Sequence, residues 1–525
     1  MFGTAGTPLV PFDGMARPRA PRSRRSWPQR LLLTLNVILV LACIGAAAAL
    51  MKVKHTLASV PVVDVASALT AEPAKSDEPR NFLIIGTDSA AGLAKDDPVL
   101  KDREVGYQLA DVIMILRVDP RDASARLLSI PRDSRLALAP DGHMGRINEA
   151  IAGAQGPRNL VQTIKRNFGI PIDNYVEIDF ESFRDLVDVL GGVPVYFTTP
   201  VRDRNTGLAI YDAGCKMLDP VQALAYARSR HFEFQDEKGK WRTDGTGDLG
   251  RITRQQDFIK RALRRASEKG IRNPSTAVGI VDAAASAVKL DDTLTVGSIL
   301  DLLGAFRSFN PDALRTEQVP TLAAPRGGVS YQDVDWDAAE PLVDPFRGID
   351  PGQPLQPGSV IVDVKGPAAK SSQLTAMTQA LDTAGFDAES LETRSGASVT
   401  TISYGPKGRD AAILLARQLD TIPKLVEDDE ITGYRVVLNV GKNAPQVRPE
   451  ALPVEQLPPE LRAAPSTTAT VPQDAQTNSD PNEAVTTTAP STTTLVPGAD
   501  AENPIPADAP PGVVPTDPEK AAACR

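Results

Sequence analysis

Residues 219–265 read DPVQALAYARSRHFEFQDEKGKWRTDGTGDLGRITRQQDFIKRALRR and gather arginine and glutamine side chains between two predicted helices. The stretch opens with aspartate and proline, a pair typical of a helix N-cap and the first helical position. A second helix is predicted to begin near Gly250 and to end before Gly270, because glycine commonly follows the last helical residue. On this second helix Arg251 and Gln255 lie one turn apart and share a face.

Two further arginines, Arg228 and Arg230, come at the end of the first predicted helix. Residues two positions apart in extended chain point to the same side. Together with Arg251 they bring like charges towards one spot, which is unfavourable unless an anion lies between them. Arginine binds phosphate through paired, charge-assisted hydrogen bonds, so the stretch predicts a phosphate or pyrophosphate site. The alternative is a solvated basic helix face, an interpretation that suits Lys260 and Arg261 well.

The bulk composition excludes several classes of function. The chain has 525 residues and a net charge of −9. That length allows roughly two to four domains, and the acidic balance does not favour a nucleic-acid partner. Only three cysteines and three histidines occur. They provide no disulfide framework, no CxxC metal motif and no obvious His-based catalytic triad.

The N-terminal segment predicts a single membrane span. Residues 1–30 contain six arginines and one acidic residue, and residues 31–51 form an uncharged apolar run of 21 residues. Such a run can cross about 30 Å of hydrocarbon. The arginine excess places residues 1–30 in the cytoplasm and everything after residue 51 outside. A cleaved signal peptide is the alternative, although its apolar core would be shorter. Residues 52–79, with small residues and prolines, are interpreted as a stalk.

Residues 80–350 are predicted to form an α/β domain with a central mixed sheet flanked by helices. Apolar runs such as NFLIIG and DVIMILRV are typical of buried strands, and they are followed by helical patterns such as NLVQTIKRNFGI. Strands that alternate with helices favour a layered α/β architecture.

The remainder of the chain divides into a small domain and a tail. Residues 357–442 show a strand-helix-strand-helix-strand pattern, which predicts a compact βαβαβ unit. Residues 443–525 are rich in proline and threonine and lack aromatic residues. Such a composition buries too little apolar surface to fold alone, so this tail is predicted to be disordered.

A series of motifs, taken together, resembles the LytR-CpsA-Psr family over about residues 80–350. In chain order these motifs are Gly86-Thr87-Asp88, Ala110-Asp111, Ser129-Ile130-Pro131-Arg132-Asp133, Arg146-Ile147-Asn148, the segment VDVLGGV at 187–193, QALAYARSR at 222–230 and DLGRITRQQ at 248–256. Each motif is weak alone, whereas their combination in this order is specific. The unit 357–442 resembles the LytR C-terminal domain, mainly through its strand-helix order and Tyr404-Gly405-Pro406.

The resemblance implies transfer of a glycopolymer from a polyprenyl-pyrophosphate carrier to peptidoglycan, outside the membrane. It implies that Asp88 and Asp111 hold Mg²⁺ or Mn²⁺ and act in catalysis together with Arg132. The pyrophosphate contacts that it implies are Arg132, Arg146, Arg228, Arg230, Arg251 and Gln255.

This chain departs from the family pattern in two places. Leu109 stands where the family usually has arginine, and Arg146 stands where it often has lysine, which keeps the charge but changes the geometry. The segment between Asp88 and Asp111 also carries an acidic insertion. These departures concern mainly the metal side of the predicted site.

The chemistry of the residues supports the metal and phosphate roles but leaves alternatives open. Asp88 follows a strand end, where α/β sheets commonly bind ligands. Two carboxylates beside a pyrophosphate favour Mg²⁺, which takes few carboxylates together with phosphate oxygens. Asp88 could instead cap a helix or turn. Arg132 could instead form a structural ion pair with Asp133.

We therefore interpret the chain as a single-pass membrane enzyme that joins a wall polymer to peptidoglycan. The alanine- and proline-rich composition points to an actinobacterial source, and hence to arabinogalactan as the polymer. The alternatives are a polyprenyl-pyrophosphate hydrolase and a non-enzymatic wall-anchoring or regulatory membrane protein. Cys215 and Cys524 both fall in the oxidising compartment. Because Cys524 lies in the predicted disordered tail, we expect the two not to pair.

Overall fold

The computed structural model of the protein describes residues 62–70, 78–89, 109–269, 288–294, 309–349, 354–393, 396–429, 431–462 and 524. The predicted cytoplasmic segment and membrane span, residues 1–51, lie outside these ranges, as do residues 463–523 of the predicted tail. Within the described part of the chain, no helix has both the length and the apolar character needed to cross a membrane.

The first folded region alternates strands and helices. Its strands are β1 Val62–Val63, β2 Arg80–Thr87, β3 Ala110–Asp119, β4 Ser124–Ser129, β5 Arg135–Ala137, β6 Met144–Arg146, β7 Asn174–Ile178, β8 Val193–Phe197, β9 Val201–Asp203, β10 Leu208–Ile210, β11 Gly214–Leu218, β12 Glu233–Gln235, β13 Trp241–Thr243, β14 Lys289–Asp291, β15 Arg315–Gln318, β16 Thr321–Ala323 and β17 Gln332–Val334. Its helices are α1 Gly156–Phe168, α2 Phe180–Val189, α3 Pro220–Arg228, α4 Gly247–Glu268 and α5 Trp336–Val343.

Seven strands form the central sheet, in the order β1-β14-β7-β2-β3-β4-β15. Strand β2 pairs antiparallel with β3 and parallel with β7, and β4 pairs parallel with β15. The prediction of a central mixed sheet is confirmed.

Different helices cover the two faces of this sheet, because side chains alternate along each strand. On β2, Leu83 and Ile85 belong to a core cluster that includes Leu160 of α1. Their neighbour Ile84 faces the opposite way, towards a cluster that includes Ile259 of α4. The sheet therefore lies between α1 and α4, and the candidate site described below is on the α4 side.

The two helices that carry the predicted arginine cluster have well-defined starts. Asp219 caps α3 and its side chain accepts the backbone N–H of Gln222 at 2.9 Å, as predicted. Helix α4 begins at Gly247, one turn earlier than predicted. Gly250 is a packing glycine, since a Cβ there would collide with the side chain of Thr246.

Residues 354–462 form a second sheet with its own core. The elements are β18 Ile361–Pro367, α6 Ser371–Thr383, β19 Asp387–Thr393, β20 Thr401–Tyr404, α7 Arg409–Arg417, β21 Lys424–Glu427, β22 Arg435–Asn439 and the short α8 Pro459–Arg462. The strand order is β19-β18-β22-β20-β21. The predicted βαβαβ pattern is therefore incomplete, because it lacks β19 and β21.

Charged side chains near α1 form part of the contact between the second sheet and the first region. Lys165 Nζ lies 2.7 Å from Asp387 Oδ1. Arg435 pairs with Asp363 at 2.5 Å, and its other nitrogen donates to the backbone carbonyl of Arg166. These contacts hold the second sheet against the side of the first region that carries α1.

The predicted stalk at 52–79 is wrong for residues 62–70. Strand β1 adds to the edge of the central sheet beside β14, and Val65 and Leu69 are 0% and 6% exposed in the main core. Apolar residues in this segment are thus used for packing, although their spacing is too irregular to indicate it.

The predicted start of the disordered tail, residue 443, is too early in the sequence. The backbone N–H of Arg448 donates to the carbonyl of Gln418 at 2.7 Å, and Leu457 is 1% exposed, so the chain up to residue 462 packs on the second sheet.

The expectation that the cysteines remain unpaired is also wrong, because Cys215 and Cys524 form a disulfide with a Cα–Cα distance of 5.3 Å. The chain returns to the first region at its end, which composition does not reveal.

Candidate active site

A cavity of about 330 Å³ lies between the central sheet and helices α2, α3 and α4. Its walls are mostly apolar, with Met114 from the sheet and Phe183 and Phe258 from the helices. Along β3 the lining passes from Asp111 to Met114, and along α4 it passes from Arg251 to Phe258. The charged lining therefore collects at one end, where β3 and α4 both begin.

Asp111 lies at this charged end and contacts arginines from separate parts of the chain. Its Oδ1 is 2.5 Å from Arg132 Nη1 and 3.3 Å from Arg230 Nη2. Arg251 Nη2 donates to the Asp111 backbone carbonyl at 2.9 Å. Burial acts to raise the pKa of Asp111, but Arg251, Arg132 and Arg230 outweigh it and hold that pKa below its usual range. Asp111 is therefore a carboxylate at neutral pH.

A second carboxylate, Asp248, faces the same three arginines. Its distances to nitrogens of Arg251, Arg230 and Arg132 are 3.1, 3.3 and 3.8 Å. The sequence interpretation, which favoured an external anion as the explanation of the clustered arginines, missed this counter-ion. Its position in the first turn of α4 is visible in the sequence, but its proximity to Arg132 and Arg230 depends on the tertiary fold.

Arg251 is the most buried of these arginines, with a side chain 3% exposed. Burial, together with the nearby Arg230 and Arg132, lowers the pKa of Arg251 to about 10, despite Asp248 and Asp111. Its Nε is buried and has no hydrogen-bond partner among the residues that the structure describes. A buried cationic donor without an acceptor is costly, so this nitrogen can accommodate an anionic ligand.

Arg230 is positioned by a buried aspartate that the sequence analysis did not identify. Asp203 is 0% exposed, and its Oδ2 accepts from Ser229 Oγ at 2.6 Å and from the backbone N–H of Arg230 at 3.1 Å. Its Oδ1 accepts the backbone N–H of Asn205 at 2.9 Å. Asp203 thereby fixes the end of α3 to the β9–β10 hairpin.

Two other predicted contacts, Arg228 and Gln255, also line the cavity. The guanidinium of Arg228 stacks 4.5 Å from the ring centroid of Phe180. Gln255 donates to the backbone carbonyl of Ala227 at 2.9 Å, so its amide nitrogen joins α4 to α3. Both side chains border the cavity, and their roles towards a ligand stay predictions.

Arg146 is less closely associated with the cavity than predicted. Its Nε donates to Glu149 at 2.8 Å, and its Nη1 is 3.7 Å from Asp133. Asp133 also lies 3.6 Å from Arg132 Nε, so it connects Arg146 to the cluster through Arg132. The ion pair between Arg132 and Asp133, considered as an alternative to a phosphate role, exists alongside the contact with Asp111.

Asp88 follows β2, next to the strand that begins at Ala110. Its Oδ1 accepts the backbone N–H of Leu109 at 3.1 Å, a turn-stabilising contact of the kind considered as its alternative role. No cluster of three or more potential metal ligands occurs among the described residues. Mg²⁺ needs only one or two carboxylates when phosphate oxygens complete its shell. Asp111 is ionised and Asp88 lies beside the start of its strand, so their role in holding this metal together with a pyrophosphate stays a prediction.

The fold and the site together define a mixed α/β protein with an apolar cavity that is charged at one end. The LytR_cpsA_psr family model matches residues 44–344, which is more than half of the 525-residue chain. The chain belongs to the LytR_cpsA_psr family, as its motifs predicted.

Curated relatives share about a third of the aligned residues. The chain is 31% identical over 268 residues to the probable cell wall biosynthesis protein LcpB of Corynebacterium glutamicum, covering 49% of this chain and 58% of that protein. It is 31% identical over 238 residues to the polyisoprenyl-teichoic acid–peptidoglycan teichoic acid transferase TagV of Bacillus subtilis, covering 40% and 58%. The match thus spans less than two thirds of each relative. The Corynebacterium protein supports the predicted actinobacterial source.

A solved structure of a LytR-Csp2A-Psr enzyme from Actinomyces oris is also similar. It is 25% identical with a TM-score of 0.43, and the match covers 56% of this chain and 97% of that one.

Proposed function

We propose that this protein is a membrane-anchored phosphotransferase that moves a glycopolymer from a polyprenyl-pyrophosphate carrier to peptidoglycan. The observation that carries the proposal is the cavity between the central sheet and α4. Its apolar walls suit a polyprenyl chain, and its charged end, with Arg230 and Arg251, suits the pyrophosphate that follows such a chain. The relatives named as teichoic acid transferases support the same class of reaction.

In the proposed reaction, a hydroxyl of the acceptor attacks the phosphorus that bears the glycopolymer and loses its proton to water. The bond to the bridging oxygen breaks, and polyprenyl phosphate leaves. Phosphoryl transfer requires positioning and charge neutralisation more than a protein nucleophile. Arg132, Arg230 and Arg251 would hold the phosphate oxygens and stabilise the charge on the leaving phosphate. Asp88 and Asp111 would hold Mg²⁺ or Mn²⁺, which would supply further neutralisation when bound.

Carboxylates at this end of the cavity offset much of the charge of the arginines. Asp111 and Asp248 pair with Arg132, Arg230 and Arg251, and Asp179 also borders the cavity. The proposed Mg²⁺ or Mn²⁺ would therefore offset the negative charge that a pyrophosphate adds, together with the arginines.

We further propose arabinogalactan as the donor polymer and an extracytoplasmic location for the folded region. The support for arabinogalactan is the actinobacterial composition and the similarity to a Corynebacterium wall-biosynthesis protein. The support for the location is the arginine-rich segment ahead of the apolar run at 31–51. In this proposal, residues 357–442 act as a LytR C-terminal domain held against the catalytic region.

The test is a transfer assay with the full-length protein in detergent. The substrates are a synthetic polyprenyl-pyrophosphate glycan, peptidoglycan oligomers and MgCl₂. Formation of glycan–peptidoglycan product, dependent on peptidoglycan, supports the proposal. Release of polyprenyl phosphate without product would favour the hydrolase alternative. Binding without turnover would favour a non-enzymatic wall-anchoring or regulatory role.

A further inference from the structure

Asp248 has an unusual environment, with one carboxylate between three guanidinium groups. The arginines come from three separate places: the loop after β4, the segment after α3 and the second turn of α4. All three lie within 3.8 Å of Asp248. Its side chain is 17% exposed, and its Oδ1 has no hydrogen-bond donor in suitable geometry among the described residues.

We infer that Asp248 is a positioning residue that holds Arg230 and Arg251 in the orientation needed to bind the pyrophosphate. This inference rests on the proposed function. Arg230 is the more exposed of the two, with a side chain 33% exposed, and it has a second carboxylate partner in Asp111 at 3.3 Å. Without Asp248, the guanidinium of Arg230 would pair with Asp111 instead, at the same end of the cavity.

When the charge of Asp248 is removed, this positioning role and simple electrostatics predict opposite changes in anion affinity. Removing a negative charge from an anion site should tighten anion binding if the arginines stay in place. Removing the group that orients the arginines should weaken it, because flexible side chains must then be ordered by the ligand itself. Solvent and salt screen the Coulomb gain at this partly exposed position, so weaker binding is the expected net result.

The experiment measures inorganic pyrophosphate binding by calorimetry with the full-length protein in detergent. Asp248→Asn keeps the size and removes the charge, and we expect its affinity to fall about tenfold, the loss that corresponds to one charge-assisted hydrogen bond. The matched control is Asp257→Asn, which removes an aspartate on the same helix that pairs with Arg261 at 2.7 Å. We expect this control to leave the affinity unchanged.

Asp248→Glu provides the second variant, and it covers the case in which Asp248→Asn does not fold. It keeps the charge but moves the carboxylate outward by one methylene. A positioning role predicts weaker binding for this variant too, whereas a simple counter-ion predicts no change. Tighter or unchanged binding by Asp248→Asn, or unchanged binding by Asp248→Glu, would overturn the inference while leaving the anion site intact. Failure of the wild type to bind pyrophosphate would overturn the site and the inference together.

Discussion

Arg251 Nη2 donates to the backbone carbonyl of Asp111 at 2.9 Å, and so joins the second turn of α4 to the start of β3. The two residues are 140 positions apart in sequence. The same guanidinium pairs with Asp248, while its Nε stays without a partner among the described residues. Arg251 therefore contributes to the packing of the site and leaves one donor for a ligand.

Replacement of Arg251 by alanine should lower both stability and anion binding. The variant leaves the Asp111 carbonyl and the Asp248 carboxylate without this donor, and each lost charge-assisted bond costs about 1.5–3 kcal/mol. Urea denaturation of the ligand-free protein measures the first effect, and pyrophosphate titration measures the second. Arg264→Ala on the same helix is the control, because the partner of Arg264 among the described residues is an exposed Asp312, and the change should cost less than about 1 kcal/mol. A stable Arg251→Ala variant with normal binding would contradict both assignments.

Arg254 is expected to be structural despite its place within the arginine-rich motif. Its side chain is 0% exposed and pairs with Asp244 at 3.0 Å, and its Nη2 donates to the Ser229 carbonyl at 2.7 Å. Arg254→Ala leaves a buried carboxylate unpaired, which costs about 3–5 kcal/mol. In a double-mutant cycle, adding Asp244→Ala should recover part of that loss. Additive losses, measured by urea denaturation, would show that the two side chains do not interact.

Substitution of Leu69 tests whether residues 62–70 belong to the folded domain. Leu69 is 6% exposed in the main core, so Leu69→Ala should reduce the free energy of unfolding by about 2–5 kcal/mol. The control is Leu322→Ala, since Leu322 is 58% exposed and should change stability by less than about 0.5 kcal/mol. Equal, small effects of the two substitutions in thermal or urea unfolding would restore the stalk interpretation.

The disulfide between Cys215 and Cys524 predicts a covalent attachment of the C-terminus to β11. A specific protease site inserted within residues 486–494 allows the chain to be cut between the two cysteines. After cleavage, the C-terminal fragment should stay attached on a non-reducing gel and separate after reduction. Cys215→Ser should release the fragment without reduction. Release from the wild type under non-reducing conditions would show that the cysteines are not paired.

The raised pKa of Asp133 predicts that the stability change caused by replacing this residue depends on pH. Burial and the nearby Asp248 raise its pKa above 3.8, although Arg132 and Arg146 oppose this. A carboxyl group with a raised pKa in the folded state favours folding most when protonated, so its contribution is lost as pH rises through the folded value. Asp133→Asn should therefore be more stable than wild type at pH 7, and the difference should shrink as pH falls towards 3.8. Melting temperatures across that range provide the test, and a difference that grows towards low pH would refute it.

Local sequence signals determined much of the main domain. Continuous apolar runs predicted β2 and β3, and the aspartate–proline pair predicted the start of α3, because these features depend on near neighbours in the chain. The arginines of residues 219–265 were identified as a cluster for the same reason. The family resemblance also came from sequence alone, since its motifs are contiguous.

Only the tertiary structure revealed two strands of the second sheet that the sequence analysis missed. Both β19 and β21 lie at the edges of the second sheet. An edge strand has one hydrogen-bonded neighbour and more exposure, so it needs no run of apolar side chains. The acidic sequence DAESLET of β19 shows this, because its strand geometry comes from pairing with β18 rather than from its own pattern.

The charge balance of the site was likewise decided by the fold. The sequence predicted that Arg228, Arg230 and Arg251 converge, but not that Asp248 and Asp111 would lie between arginines as counter-ions. Contacts such as Asp111–Arg230 join residues 119 positions apart, and no local pattern encodes which side chains meet at that separation. Residue type and spacing therefore specified which groups could bind a pyrophosphate, whereas long-range packing fixed their partners, their ionisation and their orientation.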